Sequence, residues 1–369
     1  MDRRQFLISG ASLGLSAGTA SLLHGKMNII NSDVVSSEIP GPIRKYPFPR
    51  KFWVWTGVNS KSSSADLHTK YKALKSHGID GVFLGGGIDH REFEIVKEAG
   101  LELHSWIWTT NRWDPWIREH HPDWYMVSRS GKSCFDHPPY VDYYRWVSPV
   151  IPGFQRYMKE QVDQIASISH VDGVHLDYVR YPDVILPRGL WAKYGLDETE
   201  ELPDYDFCYS SHTRKAFEDI CGRDPLKIAN PASDQQWLHF RYDSVSHLVK
   251  QLADQVHRHH KQITAAVFPT PRLARKMVRQ DWNKWPLDAA CPMTYASFYL
   301  KKVDWIGEMA LENIQSATIP IYSGLYMPDL SNPEDFKSAL DVCKLRGAAG
   351  VSLFGDVPEE HWSIFETNR

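Results

Sequence analysis

The stretch Val171-Asp172-Gly173-Val174-His175-Leu176-Asp177-Tyr178-Val179 alternates small or polar residues with apolar ones from Gly173 onward. In an extended strand successive side chains point to opposite faces, so Gly173, His175 and Asp177 share one face and Val174, Leu176 and Tyr178 the other. The apolar set belongs against covering helices. That turns His175 and Asp177 inward and sets Asp177 at the carboxyl end of the strand. Seven further β-rich runs surround this one, over residues 52–56, 78–84 and 101–108 before it and 263–268, 289–295, 319–326 and 350–354 after it. Amphipathic stretches lie between them, such as 67–76 and 154–168, the latter placing Tyr157, Val162, Ile165 and Ile168 near helical spacing. Strand-helix alternation implies parallel strands joined by right-handed crossovers. Eight such repeats without a dinucleotide-type glycine turn predict an α/β protein built as a closed (β/α)8 TIM barrel rather than an open doubly wound sheet. Gly85-Gly86-Gly87 lacks the dinucleotide spacing and reads as a tight turn.

The spacing is uneven. About 60 residues separate the third and fourth strands and about 80 the fourth and fifth, too many for one helix and its loops, so long insertions are expected after strands three and four. Barrel active sites are built from loops at the carboxyl ends of the strands, which makes the edge around strand four the expected substrate wall. Residues 124–146 hold Trp124, Tyr125, Phe135, Tyr140, Tyr143, Tyr144 and Trp146. They read either as a satellite core beneath a long loop or as a substrate platform.

The chain has 369 residues, 42 Lys and Arg against 45 Asp and Glu, and a formal charge of −3, which excludes the electrostatic footprint of a nucleic-acid partner. Its 42% hydrophobic and 24% charged content is that of a globular protein. Fourteen Trp, 17 Tyr and 15 Phe are a heavy aromatic load, part of it core, and a chain this rich in Trp can also line a groove with flat apolar faces and polar edges. The five cysteines are widely spaced, with no CxxC pair, so neither a zinc nor a disulfide framework is expected. Arg3-Arg4 stands before a weakly apolar Gly/Ser/Ala-rich run to about Leu23, with small residues Gly18 and Ala20 at its end. This resembles a twin-arginine export signal over 1–25; the alternative is a basic leader with no targeting role. A Pro-containing linker follows over 26–50, then the barrel over 51–369. No later segment approaches the ~20 apolar residues of a membrane span, so an exported protein, periplasmic or extracellular and without an integral membrane segment after signal removal, is expected.

The motif from Asp172 to Pro182 resembles the hallmark of the family-ten-like glycosyl hydrolase group, Asp-Gly-Ile/Val-His-hydrophobic-Asp-Tyr-hydrophobic-Arg-Tyr-Pro on the fourth strand of a barrel. Other landmarks are similar to that group's: His121-Pro122-Asp123-Trp124, Trp146-Val147-Ser148-Pro149, Trp237-X-X-Phe240-Arg241 and Gln280-Asp281-Trp282 with Trp285. The resemblance covers residues 51–357. Two rim stretches depart from it: Val267-Phe268-Pro269-Thr270-Pro271 stands where Ser-Pro-Phe-Gly is frequent, and Cys291-Pro292-Met293-Thr294-Tyr295 where Pro-Gln-X-Tyr is usual. Substrate preference is expected to differ accordingly.

The resemblance implies glycosidic-bond hydrolysis of a poly- or oligosaccharide, which needs two carboxyl groups flanking one bond. Asp177 is the first, expected as nucleophile with Arg180 as its ionic partner. Asp281 is the second, read either as a general acid beside Trp282 or as the N-cap of the following helix. Asp356 past strand eight and Asp89 past strand two are reserves, whereas Asp288 precedes strand six and belongs to the opposite face. His175 is expected to orient Asp177 or touch a sugar hydroxyl, with Arg180 and Tyr181 of the same motif on the substrate side. Trp108, Tyr295 and Tyr326 are candidates for stacking on sugar rings or else simply fill the barrel. No second ligand stands at metal spacing near His175, so no metal or cofactor is expected, and a metal-dependent hydrolase is disfavoured. The competing function is a non-catalytic carbohydrate-binding barrel, which the same aromatic rim would serve.

Overall fold

The computed structural model describes residues 50–367. The leader expected over 1–25 and the linker over 26–50 lie outside the described residues, apart from Arg50. The strands are β1 (Lys51–Gly57), β2 (Gly81–Gly85), β3 (Glu102–Trp108), β4 (Gly173–Asp177), β5 (Gln262–Val267), β6 (Ala289–Pro292), β7 (Tyr322–Tyr326) and β8 (Gly350–Phe354). The helices are α1 (Ser64–Ser76), α2 (His90–Glu98), α3 (Pro115–His120), α4 (Pro152–Ala166), α5 (Trp191–Tyr194), α6 (Ser211–Cys221), α7 (Gln235–His257), α8 (Pro271–Val278), α9 (Val303–Ser316), α10 (Pro333–Leu345) and α11 (Glu359–Thr367).

All ladders are parallel, in the order β6-β5-β4-β3-β2-β1-β8-β7. Isolated parallel bridges, Ala290 to Ile321 and Met293 to Gly324, join β6 to β7 and close the ring, giving the (β/α)8 barrel. The extra residues after β3 and β4 carry α3 and the pair α5 and α6, with antiparallel bridges such as Tyr125 to Val147 and Ser128 to Phe207. Within them Trp124, Tyr125 and Trp146 join the main core and Phe135 and Tyr144 pack against it, so most aromatic residues of 124–146 form a packed layer under the loop rather than a platform. No helix among the described residues is long and apolar enough to cross a membrane.

Strand parity sorts the core. Val54, Val82, Leu103, Val174, Leu176, Ile263 and Val351 pack outward into the layer under the helices. Trp53, Trp55, Phe83, Ala266, Cys291 and Tyr322 fill the barrel itself. Large rings fit there because glycines face them on neighbouring strands. A Cβ on Gly85 would lie 2.5 Å from the Trp106 ring, and one on Gly173 would lie 2.7 Å from His104 Nε2. These glycines are thus holes that the rings occupy. The covering helices start at side-chain caps that fix where each strand's loop ends: Asp89 accepts from Glu92 N, Asp234 from Trp237 N and Thr270 from Leu273 N.

Candidate active site

Asp177 is the last residue of β4 and pairs in register with Trp108, the last of β3. Its carboxylate takes one N–H from each side: Trp106 Nε1 donates to Oδ2 at 3.1 Å and Tyr178 N to Oδ1 at 2.7 Å. The second bond follows from the backbone, because Tyr178 adopts a left-handed conformation with φ 49° that ends the strand and folds its amide back over Asp177. Asp177 keeps part of its surface open at the mouth of the barrel while protein surrounds the rest. Burial pushes its carboxyl up to about 6, against the opposing pull of the Tyr178 N–H, the nearby Arg180 charge and the Trp106 N–H.

The other members of the motif do not converge on Asp177, and three expectations are corrected. Arg180 turns its guanidinium to Asp183, at 2.9 Å, and to the Tyr181 carbonyl, at 3.0 Å. The rings of Trp146, Phe268 and Tyr178 surround it, so it reaches Asp177 only as a nearby charge. Tyr181 is fully buried, its hydroxyl 2.9 Å from Ser244 Oγ on α7, and meets no open groove. His175 lies in the barrel interior, one layer below the mouth. The Trp55 indole can only donate, so His175 Nε2 accepts from it at 3.0 Å, which leaves Nδ1–H to donate to Thr264 Oγ1 at 2.9 Å. Burial, with His104 nearby, holds the His175 imidazole well below its ordinary pKa, as this neutral tautomer requires. Orientation of Asp177 falls to Trp106 and the Tyr178 amide.

Asp281 does not join Asp177 either. It is almost fully buried in the loop after α8, where Arg275 Nη1 takes Oδ1 and Lys284 Nζ takes Oδ2, each at 2.6 Å. With one cation on each oxygen and almost no exposed surface, it is held in a buried ion-pair cluster. It precedes the 3-10 turn Trp282–Lys284 but makes no side-chain cap bond, so the capping alternative fails as well. Asp89 caps α2. Asp288 accepts from Ile263 N at 2.7 Å at the amino end of β5, on the opposite face as read from the sequence.

Across the mouth from β4, strands six to eight contribute an aromatic cluster. Tyr295 stacks on Phe354 with centroids 5.8 Å apart and lies 5.2 Å from Tyr326, which in turn lies 5.4 Å from Phe298. Trp55 meets Phe354 edge-on at 6.0 Å. On the other side Trp108 packs against Tyr178 at 4.7 Å and Tyr143 at 5.9 Å. Trp108 and Tyr326 stay half-buried, whereas Tyr295 is buried. Burial, with both Asp177 and Asp329 nearby, drives the Tyr295 hydroxyl far above its usual range. Asp329, three residues past β7, was missed in the sequence. Its Oδ2 accepts from Ser297 N at 2.9 Å and so ties the loop after β6 to the turn after β7. Asp356, just past β8, is exposed at the same rim.

Among the described residues, no group of three His, Cys, Asp or Glu is placed to hold a metal ion. A cavity of about 710 Å³ opens at the opposite end of the barrel, beside Lys51, Lys97, Glu102, Asp172 and Gln262. Two ion pairs line it, Lys97 to Asp172 at 2.5 Å and Lys51 to Glu102.

No protein-family model matches the chain, and no curated protein does. Solved structures do. The catalytic domain of a β-amylase from Paenibacillus polymyxa matches with a TM-score of 0.59 at 12% identity, over 87% of this chain and 98% of that one. A β-galactosidase from Marinomonas ef1 gives 0.61 at 12% identity, over 86% of this chain and 58% of that one. A cold-adapted β-galactosidase from Rahnella sp. R3 gives 0.60 at 12% identity over 84% of this chain. The chain spans between half and three-fifths of those two galactosidases, 58% and 52%. At such identities the likeness establishes the barrel.

Proposed function

We propose that this chain is an exported glycoside hydrolase acting on a poly- or oligosaccharide, with Asp177 as its general acid. The observation that carries the reading is a partly open carboxyl, pushed up to about 6 by burial, between two aromatic walls at the carboxyl end of a barrel strand. A carboxyl that resists ionisation and has no cation bonded to it is suited to give a proton to a leaving sugar oxygen. A nucleophile would call for a carboxylate paired with Arg180, and Arg180 is spent on Asp183. The solved neighbours named as a β-amylase and β-galactosidases support sugar chemistry on this fold. The fourth-strand motif supports kinship with the family-ten-like group.

The partner carboxylate in this reading is Asp329, which stands beside Tyr295 and Tyr326 across from β4. Its part is to attack the anomeric carbon or to take a proton from the attacking water while Asp177 protonates the departing oxygen. Trp108 and Tyr326, both half-buried, supply flat faces for sugar rings, whereas Tyr295 is buried against Phe354 and fills the barrel mouth. Asp356 lies on the same rim and is assigned to hydroxyl binding. Export through the twin-arginine route, read from Arg3 and Arg4, completes the proposal. Incubating the purified protein with a panel of polysaccharides tests it. New reducing ends should appear with at least one of them, and a carbohydrate-binding barrel would retain that polymer without cutting it.

A further inference from the structure

Trp116 is 44% exposed, an unusual setting for a large aromatic residue in this chain, and it stands on the outer wall rather than at the mouth. Around it opens a groove of about 630 Å³, formed where α3 and the turn Pro122–Trp124 lean on the first half of α4. Two stacked ring pairs make its walls. Trp116 lies parallel to Tyr157, 5.3 Å away at 7°, and His121 lies parallel to Trp124, 3.8 Å away at 11°. Trp116 meets His121 and Trp124 edge-on, at 60° and 69°, so the walls meet at a steep angle. Gly153 lets the Trp124 ring sink into the floor, since a Cβ there would lie 2.5 Å from it. On the rim Arg156 and Glu160 stand one helical turn apart, both exposed and with no ion pair among the described residues.

From this arrangement we infer a second saccharide-binding site that does not catalyse. Aromatic faces at a steep angle, one multiple donor and one acceptor within a single turn match the alternating apolar faces and hydroxyl edges of a sugar chain. The opposite signs of Arg156 and Glu160 favour an uncharged chain over an anionic one. Arg112 Nη1 donates to the Trp108 backbone carbonyl at 2.7 Å, and its guanidinium lies 5.9 Å from the Tyr157 ring, so this one side chain links the end of β3 to the wall of the groove. Asp114 holds that side chain in place, its two carboxylate oxygens accepting from Arg112 Nε and Nη2 at 2.6 Å each. The inference builds on the reading of the chain as acting on polysaccharide, and its test separates the two.

Mobility of the full-length protein is measured in native gels containing starch, xylan, galactan, arabinan or hydroxyethyl cellulose, for the parent, Trp116→Ala, Tyr157→Ala and Arg156→Ala with Glu160→Ala. Trp116 and the rim pair are exposed, so these variants should fold normally, as a thermal melt verifies. The parent should be retarded by at least one neutral polymer, and Trp116→Ala should weaken retardation tenfold or more. The rim variant should weaken it severalfold. Turnover of a short soluble glycoside should stay unchanged in every variant. Asp177→Asn should retain the parent's retardation even with turnover lost. A parent that no polymer retards, or a Trp116→Ala variant retarded as the parent is, overturns the second site and leaves the proposed catalysis standing. Loss of a dimer on Trp116→Ala by sedimentation also overturns it, since another copy of the chain would then be the occupant.

Discussion

Asp177→Asn is expected to lower kcat/KM on an unactivated polysaccharide by 1,000-fold or more while making the protein more stable. The loss follows because the group acts in the transition state, where proton donation contributes typically 100- to 10,000-fold and an amide cannot donate in its place. Asn keeps an oxygen for either the Trp106 or the Tyr178 N–H, so the local fold should survive. The gain in stability follows from the sign of the shift. The folded value of about 6 lies above the ~3.9 of an unfolded Asp, so ionisation opposes folding. That cost, about 3 kcal/mol at most, is present in full above pH 6 and disappears as the pH falls through 6 towards 4. Melting curves should therefore show Asp177→Asn above the parent at pH 8 and level with it near pH 4. On a glycoside with a strongly acidic phenol as leaving group, which needs no protonation, the variant should recover much of its rate. A variant that is inactive and less stable at pH 8 would make Asp177 a structural residue instead.

Asp329→Asn is the second large effect, with kcat/KM expected to fall at least 100-fold. The substitution removes the charge but retains an oxygen for Ser297 N, so the latch between the loops after β6 and β7 should hold and the melting temperature should stay close to the parent's. Asp356→Asn, on the exposed end of the same rim, should cost less than about tenfold, as fits contact with a sugar hydroxyl. Kinetics of the two variants side by side check the assignment. Equal, small losses would remove Asp329 from the chemistry, and a large loss confined to Asp356→Asn would move the role to it.

Strand parity carried the sequence reading as far as β4 reached. All eight β-rich runs overlap the strands observed, with the runs at β1, β2 and β5 missing a strand end by one residue, and the inward direction of His175 and Asp177 follows from alternation alone. Parity fails one residue later, where the left-handed Tyr178 breaks the strand, so nothing in the pattern could tell that Arg180 and Tyr181 turn away. Asp281 misled for a related reason. Arg279, with φ 57°, reverses the chain after α8 between Arg275 and Asp281, which form an ion pair, while Lys284 reaches the same carboxylate from three residues on. Asp329 was legible in principle, since it stands as near the end of its strand as the reserves did to theirs. What singles it out is the meeting of Tyr295, Tyr326 and Ser297 from different loops, a tertiary fact with no local signature. The depth of His175 was hidden too, because a sequence shows which face a side chain takes but not how its ring nitrogens are already spent.

The most direct measurement is the pH dependence of kcat/KM on the best substrate from the polysaccharide panel, which reports ionisations of the free enzyme. With Asp177 as general acid, the rate should fall as pH rises through about 6, approaching tenfold per pH unit, because the proton to be donated is lost. Asp177→Asn should abolish that limb. A rate that instead rises through pH 6 and stays high above it would show that the ionised carboxylate is the working form, and the assignment of Asp177 as acid would be wrong.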